Sequence, residues 1–335
     1  MTELIAISDA RASASRGLRR RRTAKRAAGK TLQGVITLLL VSILIFFATQ
    51  AMPGDVARVI LGVNATPEGL ETLREQLGLN RPLITQYLTW LGGILQGNWG
   101  VSLTNGVPVA DILGIRLRNS ITLGLFAMVI MLPVSLLLGV IAAQRKDRAF
   151  DHVFMGSSMV VNASPEFVTG TVLIALFGTT VFRWLPPVSL IPPGDMPWWH
   201  IPALVLPILT LVITGVAYLS RLVRVSFIDV MNSEYIQTAK LKGLSTRRIL
   251  YRHALPNALA PIVPAASLVA AFVIGGTVVV EYLFSYPGIG SALVEAVGNR
   301  DLPVVQAIVL IIATAYFVFN FIADVLPQAG AKRPN

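Results

Sequence analysis

The chain has 335 residues, of which 54% are hydrophobic and only 13% are charged, whereas an ordinary globular domain carries about 25% charged residues. The formal net charge is +11, but residues 1–30 alone contribute nine basic and two acidic side chains. This composition excludes an ordinary soluble domain, and a basic face for nucleic acid spread over a folded domain. Because the chain contains no cysteine, it forms no disulfide and has no thiolate metal site.

Residues 1–30 form a basic tail that is rich in Arg and Ser, as targeting peptides are. The apolar run after the tail is too long for the core of a cleaved signal, and it lacks a clear small-x-small cleavage site. We therefore predict an uncleaved cytoplasmic tail that anchors the first helix and is attracted to anionic lipid.

Five uncharged runs mark predicted transmembrane helices, because about 20 helical residues cross a bilayer core of about 30 Å. The runs are residues 31–54, 119–144, 196–220, 254–280 and 302–323. A sixth candidate covers about residues 153–182 and is interrupted only by Glu166, directly after Pro165. The sequence thus predicts an all-α integral membrane protein with six transmembrane helices, the first at residues 31–52.

The region between the first two spans, residues 53–118, is predicted to lie outside the cytoplasm. It includes an uncharged run at residues 82–110, which is crowded with Gly, Gln, Asn and Thr and is therefore too polar to cross a membrane. We expect an amphipathic helix at about residues 82–95 that lies at the membrane surface, where Trp90 and Trp99 suit the interface.

The distribution of basic residues predicts the orientation, since cytoplasmic loops carry an excess of Lys and Arg. With six spans and an internal amino terminus, 21 of the 28 Lys and Arg residues fall on the cytoplasmic side. Both termini are therefore predicted to be cytoplasmic. Residues 119–326 would form a five-helix core with a cytoplasmic segment at 221–253, and residues 327–335 a second cytoplasmic tail.

Catalytic groups are not apparent in the sequence. His152, His200 and His253 are far apart and no HExxH or GxSxG pattern occurs, which disfavours a metal site and a membrane-embedded hydrolase. Glu166 is the one clear charge inside a predicted span, and an ion-coupled carrier would be expected to have more of them. We expect Glu166 to face protein or a cavity, either as a structural contact or on a substrate path, because exposure to lipid costs about 2.5 to 3.5 kcal/mol.

The cytoplasmic segment between the fourth and fifth spans carries the most specific pattern. Serine begins each of two predicted short helices, residues 233–242 and 245–254, and can cap it. Gly243 lies between them and can end the first helix in the left-handed conformation. Such a segment is either an ordinary basic connection or a rigid helix that a soluble partner can push.

This segment resembles the coupling-loop signature of ABC importer permeases, which is written EAA, three residues, G, nine residues, then I, x, L, P. The positions that match at the same spacings are Ala239, Gly243, Leu255 and Pro256. The departures are Gln237 for the glutamate, Thr238 for the first alanine and His253 for the isoleucine.

The resemblance extends over nearly the whole chain and points to the dipeptide/oligopeptide/nickel branch of these permeases. It is carried by EYIQTAKLKGL with RHALPNALAP, by MPGDVARVILG, by REQLGLNRPLITQYLTWLGGILQGNWGVSL, and by VVVEYLFSYPGIGSALVEAVGNRDLPVVQAI. The chain departs from the branch in its long Arg-rich tail and in its ending, IADVLPQAGAKRPN.

The resemblance implies a type I ABC importer permease architecture in the bacterial plasma membrane and a subunit that is not an enzyme. The implied partners are a second homologous permease, two ATPase subunits that bind ATP and Mg, and an extracytoplasmic substrate-binding protein; no cofactor, metal or nucleic acid is expected on this chain. The residues expected to couple to the ATPases are Glu234, Gln237, Thr238, Ala239, Lys240, Gly243, Leu255 and Pro256.

Four residues at the end of the fifth span, Glu281, Tyr282, Phe284 and Tyr286, are expected from the family's architecture to border the outer gate. Anchoring in the aromatic belt is the alternative for Tyr282 and Phe284. The branch favours di- or oligopeptides as substrate, with nickel, glutathione, an opine or an oligosaccharide as alternatives. An ion-coupled secondary carrier is the alternative from a different class.

Overall fold

The computed structural model describes residues 28–51, 56–61, 65–76 and 78–330. Within these residues the regular structure is helical, and the only β pairing is one isolated bridge between Val101 and Pro108. This confirms the predicted all-α class. Most of the predicted amino-terminal tail (residues 1–27) and residues 331–335 lie outside the described residues.

The described residues form thirteen α-helices. They are α1 Ala28–Gln50, α2 Val56–Leu61, α3 Pro67–Gln76, α4 Leu83–Leu95, α5 Val109–Gln144, α6 Ala149–Ala163, α7 Glu166–Leu173, α8 Ile201–Met231, α9 Glu234–Leu241, α10 Thr246–Ile249, α11 Leu255–Leu283, α12 Ile289–Gly298 and α13 Leu302–Gly330. A π-helical segment, Ile174–Thr179, follows α7; a 3-10 turn, Pro197–Trp199, precedes α8; and a π turn, Leu250–Ala254, joins α10 to α11.

Five described helices are long and apolar enough to cross a membrane: α1, α5, α8, and the segments Ile262–Leu283 of α11 and Leu302–Ala323 of α13. A sixth span is possible only if α6 is joined to Glu166–Thr179, and these two helices are bent by 108°. Pro165 explains the break, because it disfavours the helical conformation in the preceding residue, and Ser164 is extended (φ −91°, ψ 135°). The six predicted apolar segments are therefore present, with the third one broken.

The central helix of the bundle is α8. In an apolar stretch of 18 residues within each helix, 72% of the residues are buried in α8, compared with 28% in α5 and 17% in α1. The helix α8 packs on α5, α6, α7 and α11. The close approach of α5 depends on two glycines: the side chain of Met131 fills the place of a Cβ on Gly215, and Val223 lies against Gly139. The core that supports both ends of the bundle is thus the α5–α8–α11 packing.

The helix α1 lies at the periphery of the bundle and is attached by polar contacts. The Gln306 amide of α13 donates to Thr49 Oγ1 (2.7 Å), and the hydroxyls of Ser42 and Tyr87 are 2.8 Å apart. Tyr87 belongs to α4, which confirms the helix predicted at residues 82–95 and shows that it packs against α1. Its position at the membrane surface stays a prediction.

Candidate functional site

The helix α9 rests on an apolar base and exposes its other face. Ile236 and Ala239 are buried and pack with Phe227 of α8 and Ile249 of α10. The residues of α9 on the exposed face include four predicted for coupling, namely Glu234, Gln237, Thr238 and Lys240. The arrangement holds a short helix firmly by one side and leaves the other free to bind a partner.

The turn after α9 has the predicted left-handed conformation. Gly243 has φ +72°, and its N–H donates to Lys240 O (2.9 Å) while Leu244 N–H donates to Ala239 O (3.2 Å). A Cβ built on Gly243 would meet no atom within 4 Å. Glycine is therefore favoured here by backbone conformation and not by lack of space.

Two details of this segment differ from the prediction. The Ser233 hydroxyl does not cap α9 but donates to Val230 O (2.5 Å), at the end of α8. The predicted second helix, residues 245–254, does not end before Pro256: α10 and the π turn run directly into α11, of which Leu255 and Pro256 are the first residues. The ring of a helical proline crowds the carbonyl four residues earlier, and the wider π turn before Pro256 gives it room.

A buried ion pair joins the start of α6 to α8, and the sequence analysis did not predict it. The guanidinium of Arg224 on α8 donates to both carboxylate oxygens of Asp151 (2.6 and 2.5 Å), which also accepts from Asp147 N–H (3.0 Å). The Asp151 side chain is 2% exposed and that of Arg224 is 18% exposed. The only signal in the sequence was a charge at residue 151, just before the predicted third span.

At the other end of the bundle, the turn between α11 and α12 is closed by buried polar contacts. Glu281 has no exposed surface, and its Oε2 accepts from Gly290 N–H (2.7 Å) at the start of α12. Its carboxylate fills the space that a Cβ on Gly288 would occupy. The carbonyl of Phe284 accepts from Ser189 N–H (2.7 Å), which ties the turn to the segment before α8.

The same turn is tied to α5 through Tyr286. Its hydroxyl donates to Asn119 O (2.8 Å), and the Asn119 amide donates to Pro287 O (2.8 Å). The Ser120 hydroxyl accepts from Ile289 N–H (2.8 Å). Burial raises the pKa of the Tyr286 hydroxyl above its ordinary value, so it remains a donor.

Of the four predicted gate residues, three are therefore buried in this turn. Glu281, Phe284 and Tyr286 each have a relative exposure of 0%, whereas Tyr282 is 62% exposed. The structure brings the three buried residues together around one closed turn and directs Tyr282 outward.

A second contact at this end involves Asp301, which the sequence reasoning also missed. Its carboxylate accepts from the Ser102 hydroxyl, from Leu103 N–H (3.1 Å) and from Thr104 N–H (3.4 Å). These bonds hold the loop before α5 against the start of α13. Its position in the sequence motif GNRDLP gave no hint of a partner almost two hundred residues away.

Glu166 lies at the break between α6 and α7 and lines a cavity of about 730 Å³. This confirms that it faces a cavity. The other polar lining residues include Asn162, Thr214, Tyr218, Tyr316 and Asn320. Among the described residues, no group of three or more His, Asp and Glu side chains could hold a metal ion.

A bundle of apolar helices with one broken span, a closed turn at one end and a partly exposed short helix at the other is the architecture of an integral membrane protein. Residues 135–333 match the family described as "Binding-protein-dependent transport system inner membrane component", and residues 25–138 match its amino-terminal family, "Binding-prot-dependent transport system membrane comp, N-term". The chain belongs to this family, and it is a multi-pass protein of the bacterial inner membrane.

Individual relatives agree with this membership. The chain is 37% identical over 293 residues to a probable peptide ABC transporter permease of Sinorhizobium fredii, covering 87% of this chain and 92% of the relative. It is 36% identical over 301 residues to the glutathione transport system permease protein of Escherichia coli K12 (90% and 95% covered). It is 34% identical over 297 residues to a putative peptide transport system permease of Brucella abortus (89% and 94% covered). The resemblance to ABC importer permeases of the peptide branch is confirmed, and the chain is a non-catalytic permease subunit.

Proposed function

We propose that this chain forms one half of the translocation pathway of an ATP-driven importer for di- or oligopeptides. The observation that carries this proposal is the similarity to permeases named for peptides in two organisms and for glutathione, itself a γ-linked tripeptide, in a third. The other half of the pathway is a second homologous permease, and an extracytoplasmic binding protein delivers the substrate.

The exposed face of α9 docks on a partner ATPase. Two ATPase subunits bind ATP and Mg, and their closure pushes α9, which transmits the push because its apolar side is packed on α8, α10 and α11. The proposed contacts lie on α9, at the turn after it and at the start of α11. They are Glu234, Gln237, Thr238, Lys240, Gly243, Leu255 and Pro256, while Ala239, which was also expected to couple, is buried on the apolar side of α9 and supports the helix from there.

At the outer end, the turn after α11 forms the proposed gate. Glu281, Phe284 and Tyr286 hold it closed, and the exposed ring of Tyr282 faces the partner permease or the interface. Residues 53–118 supply the extracytoplasmic surface for the binding protein.

The proposed orientation has both termini in the cytoplasm, with tails at residues 1–30 and 327–335. A cysteine introduced at Asp147 should be labelled by an impermeant thiol reagent only from the cytoplasm, and one at Thr66 only from outside. Labelling of the Thr66 position from inside would reverse the proposed topology.

The function is tested by reconstitution of the complete importer in proteoliposomes. The chain should co-purify with an ATPase and a second permease, the loaded binding protein should stimulate ATP hydrolysis, and radiolabelled peptide should accumulate inside. Accumulation of nickel, an opine or an oligosaccharide but no peptide would refute the peptide substrate. Uptake driven by an ion gradient without ATPases would refute the importer itself.

A further inference from the structure

The broken third span opens the cavity at mid-depth in the helix bundle. Thr214 and Tyr218 line it from the middle of α8, and Tyr316 and Asn320 line it from the middle of α13. In secondary transporters, substrate sites lie near the bilayer midplane beside interrupted helices, and the cavity has the same kind of position here. The volume of about 730 Å³ is within the range of small-molecule sites, about 300 to 1,000 Å³.

The carboxylate of Glu166 is unpaired in this cavity. Within the described part of the chain, no hydrogen bond or ion pair reaches it. Among the described lining residues there is no Lys, Arg or His, so Glu166 gives the cavity its only formal charge. A carboxylate held at this depth without a protein partner is costly, and a cationic ligand would offset that cost.

The surroundings of Glu166 favour a cation as well. At the break, the partial negative charge of the α6 carboxyl end is offset by the partial positive charge of the α7 amino end, where Glu166 is the first residue, so the aromatic side chains carry this preference. Tyr218 and Tyr316 are 53% and 38% exposed beside the same cavity, and the faces of aromatic rings attract cations.

We propose that Glu166 binds the protonated amino group of the peptide as it passes through the permease. The inference rests on the peptide importer proposed above. An ammonium group loses its water shell on entering the bundle, and the free carboxylate replaces that hydration with a charge-assisted hydrogen bond. The carboxylate is thereby a substrate contact within the pathway.

A neighbouring glycine provides a way to move this carboxylate without changing its charge. A Cβ on Gly276 of α11 would lie 2.6 Å from Glu166 Oε1 and 2.7 Å from Oε2, whereas a Cβ on Gly275 would meet no atom within 4 Å. Because the colliding atoms are the end of a flexible side chain, Gly276→Ala displaces the carboxylate and leaves the helix intact. Gly275→Ala is the matched control.

The test compares variants in the complete reconstituted importer, with peptide uptake per ATP hydrolysed as the main readout. Glu166→Gln should lower this ratio about tenfold, the value of one hydrogen bond to a charged group, and Glu166→Asp should restore much of it. Gly276→Ala should also lower the ratio, and Gly275→Ala should not. Stimulation of ATP hydrolysis by the loaded binding protein should stay normal in all four variants.

Several results would overturn the proposal. One is a wild-type ratio of peptide uptake to ATP hydrolysis in Glu166→Gln. Another is a loss of thermal stability or of ATPase stimulation that parallels the loss of uptake. The third is uptake of ⁶³Ni²⁺, in place of peptide, that depends on Glu166. A wild-type importer that hydrolyses ATP on stimulation but accumulates no peptide would refute the peptide substrate and this inference with it. Normal wild-type peptide uptake together with wild-type coupling in Glu166→Gln would refute the inference alone.

Discussion

The end of the bundle that carries α9 and the end that carries α12 both hold a short helix, but they hold it in different ways. The helix α9 packs on apolar side chains by one face and leaves its polar face exposed. At the other end, the side chains of Asn119, Ser120, Glu281 and Tyr286 make hydrogen bonds to the backbone of the turn before α12, of the first residues of α12 and of α5.

The difference indicates that the α9 end can receive a force from a partner, whereas the α12 end opens only when that force breaks its hydrogen bonds. An exposed polar face exchanges water for a partner at little cost, whereas a buried donor or acceptor that loses its partner costs about 1 to 3 kcal/mol. The α9 end is therefore suited to docking, and the α12 end to remaining closed until several bonds are replaced together.

We expect the largest effect from a substitution at Asp151, whose buried carboxylate anchors the α9 end of the bundle. Asp151→Asn removes the charge that pairs with Arg224, and breaking a buried pair costs about 3 to 5 kcal/mol. We expect a large loss of thermal stability in detergent. Asp147→Asn is the control, since this residue is exposed and Asn tolerates its positive φ of 62°. Equal stability of the two variants would contradict the anchoring role.

At the opposite end, Asp301→Ala tests whether the buried polar contacts hold the outer loops. Its loss leaves the Ser102 hydroxyl and two backbone N–H groups without their acceptor, at a cost of about 1 to 3 kcal/mol. Hydrogen exchange should increase at Leu103 and Thr104 and remain unchanged on α9. Glu295→Ala, which removes only the exposed partner of Arg116, should leave exchange unaltered. Unchanged exchange in Asp301→Ala would rule out this contact as the fastening of the loop.

Gly243→Val should affect only the docking of α9 on its partner ATPase, and so it separates the two ends of the bundle. A left-handed conformation costs a non-glycine residue about 1 to 2 kcal/mol, so the turn after α9 should rearrange while the spans still insert. We expect normal membrane levels with loss of the ATPases or of the stimulated hydrolysis. Gly243→Asn should be tolerated, because Asn adopts this conformation readily. Wild-type transport by Gly243→Val would make the segment a simple connection.

The smallest effect is expected for Lys240→Glu, on the free face of α9. One exposed charge contributes about 0 to 1 kcal/mol, so uptake should fall less than it does in Gly243→Val and the deficit should shrink at high salt. A loss as complete as that of Gly243→Val would mean that Lys240 is desolvated in the complex.

Uncharged runs predicted the apolar helices because the cost of charge in lipid acts on each residue separately. The left-handed turn at Gly243 was predictable for a similar reason, as it depends on local backbone sterics. The contacts of Asp151 and Asp301 were not, since their partners are distant in sequence and no periodicity marks them. The burial of Glu281 was hidden as well, because its acceptor role arises only when α12 folds back over the end of α11. The continuation of α10 into α11 escaped prediction because proline ordinarily signals a helix end, and a π turn accommodates it here.

The helix α5 has 36 residues, which at 1.5 Å per residue gives a rod of roughly 54 Å, well beyond the hydrocarbon core of about 30 Å. The boundary between the two family matches, residues 25–138 and 135–333, falls inside this one helix. The two halves of the chain are therefore joined within one continuous helix, which contains Pro133 and so lacks one of its backbone hydrogen bonds near the boundary. A tilt imposed at the Gln144 end is therefore transmitted toward the Val109 end through this helix, and Pro133 is the position where the helix can bend.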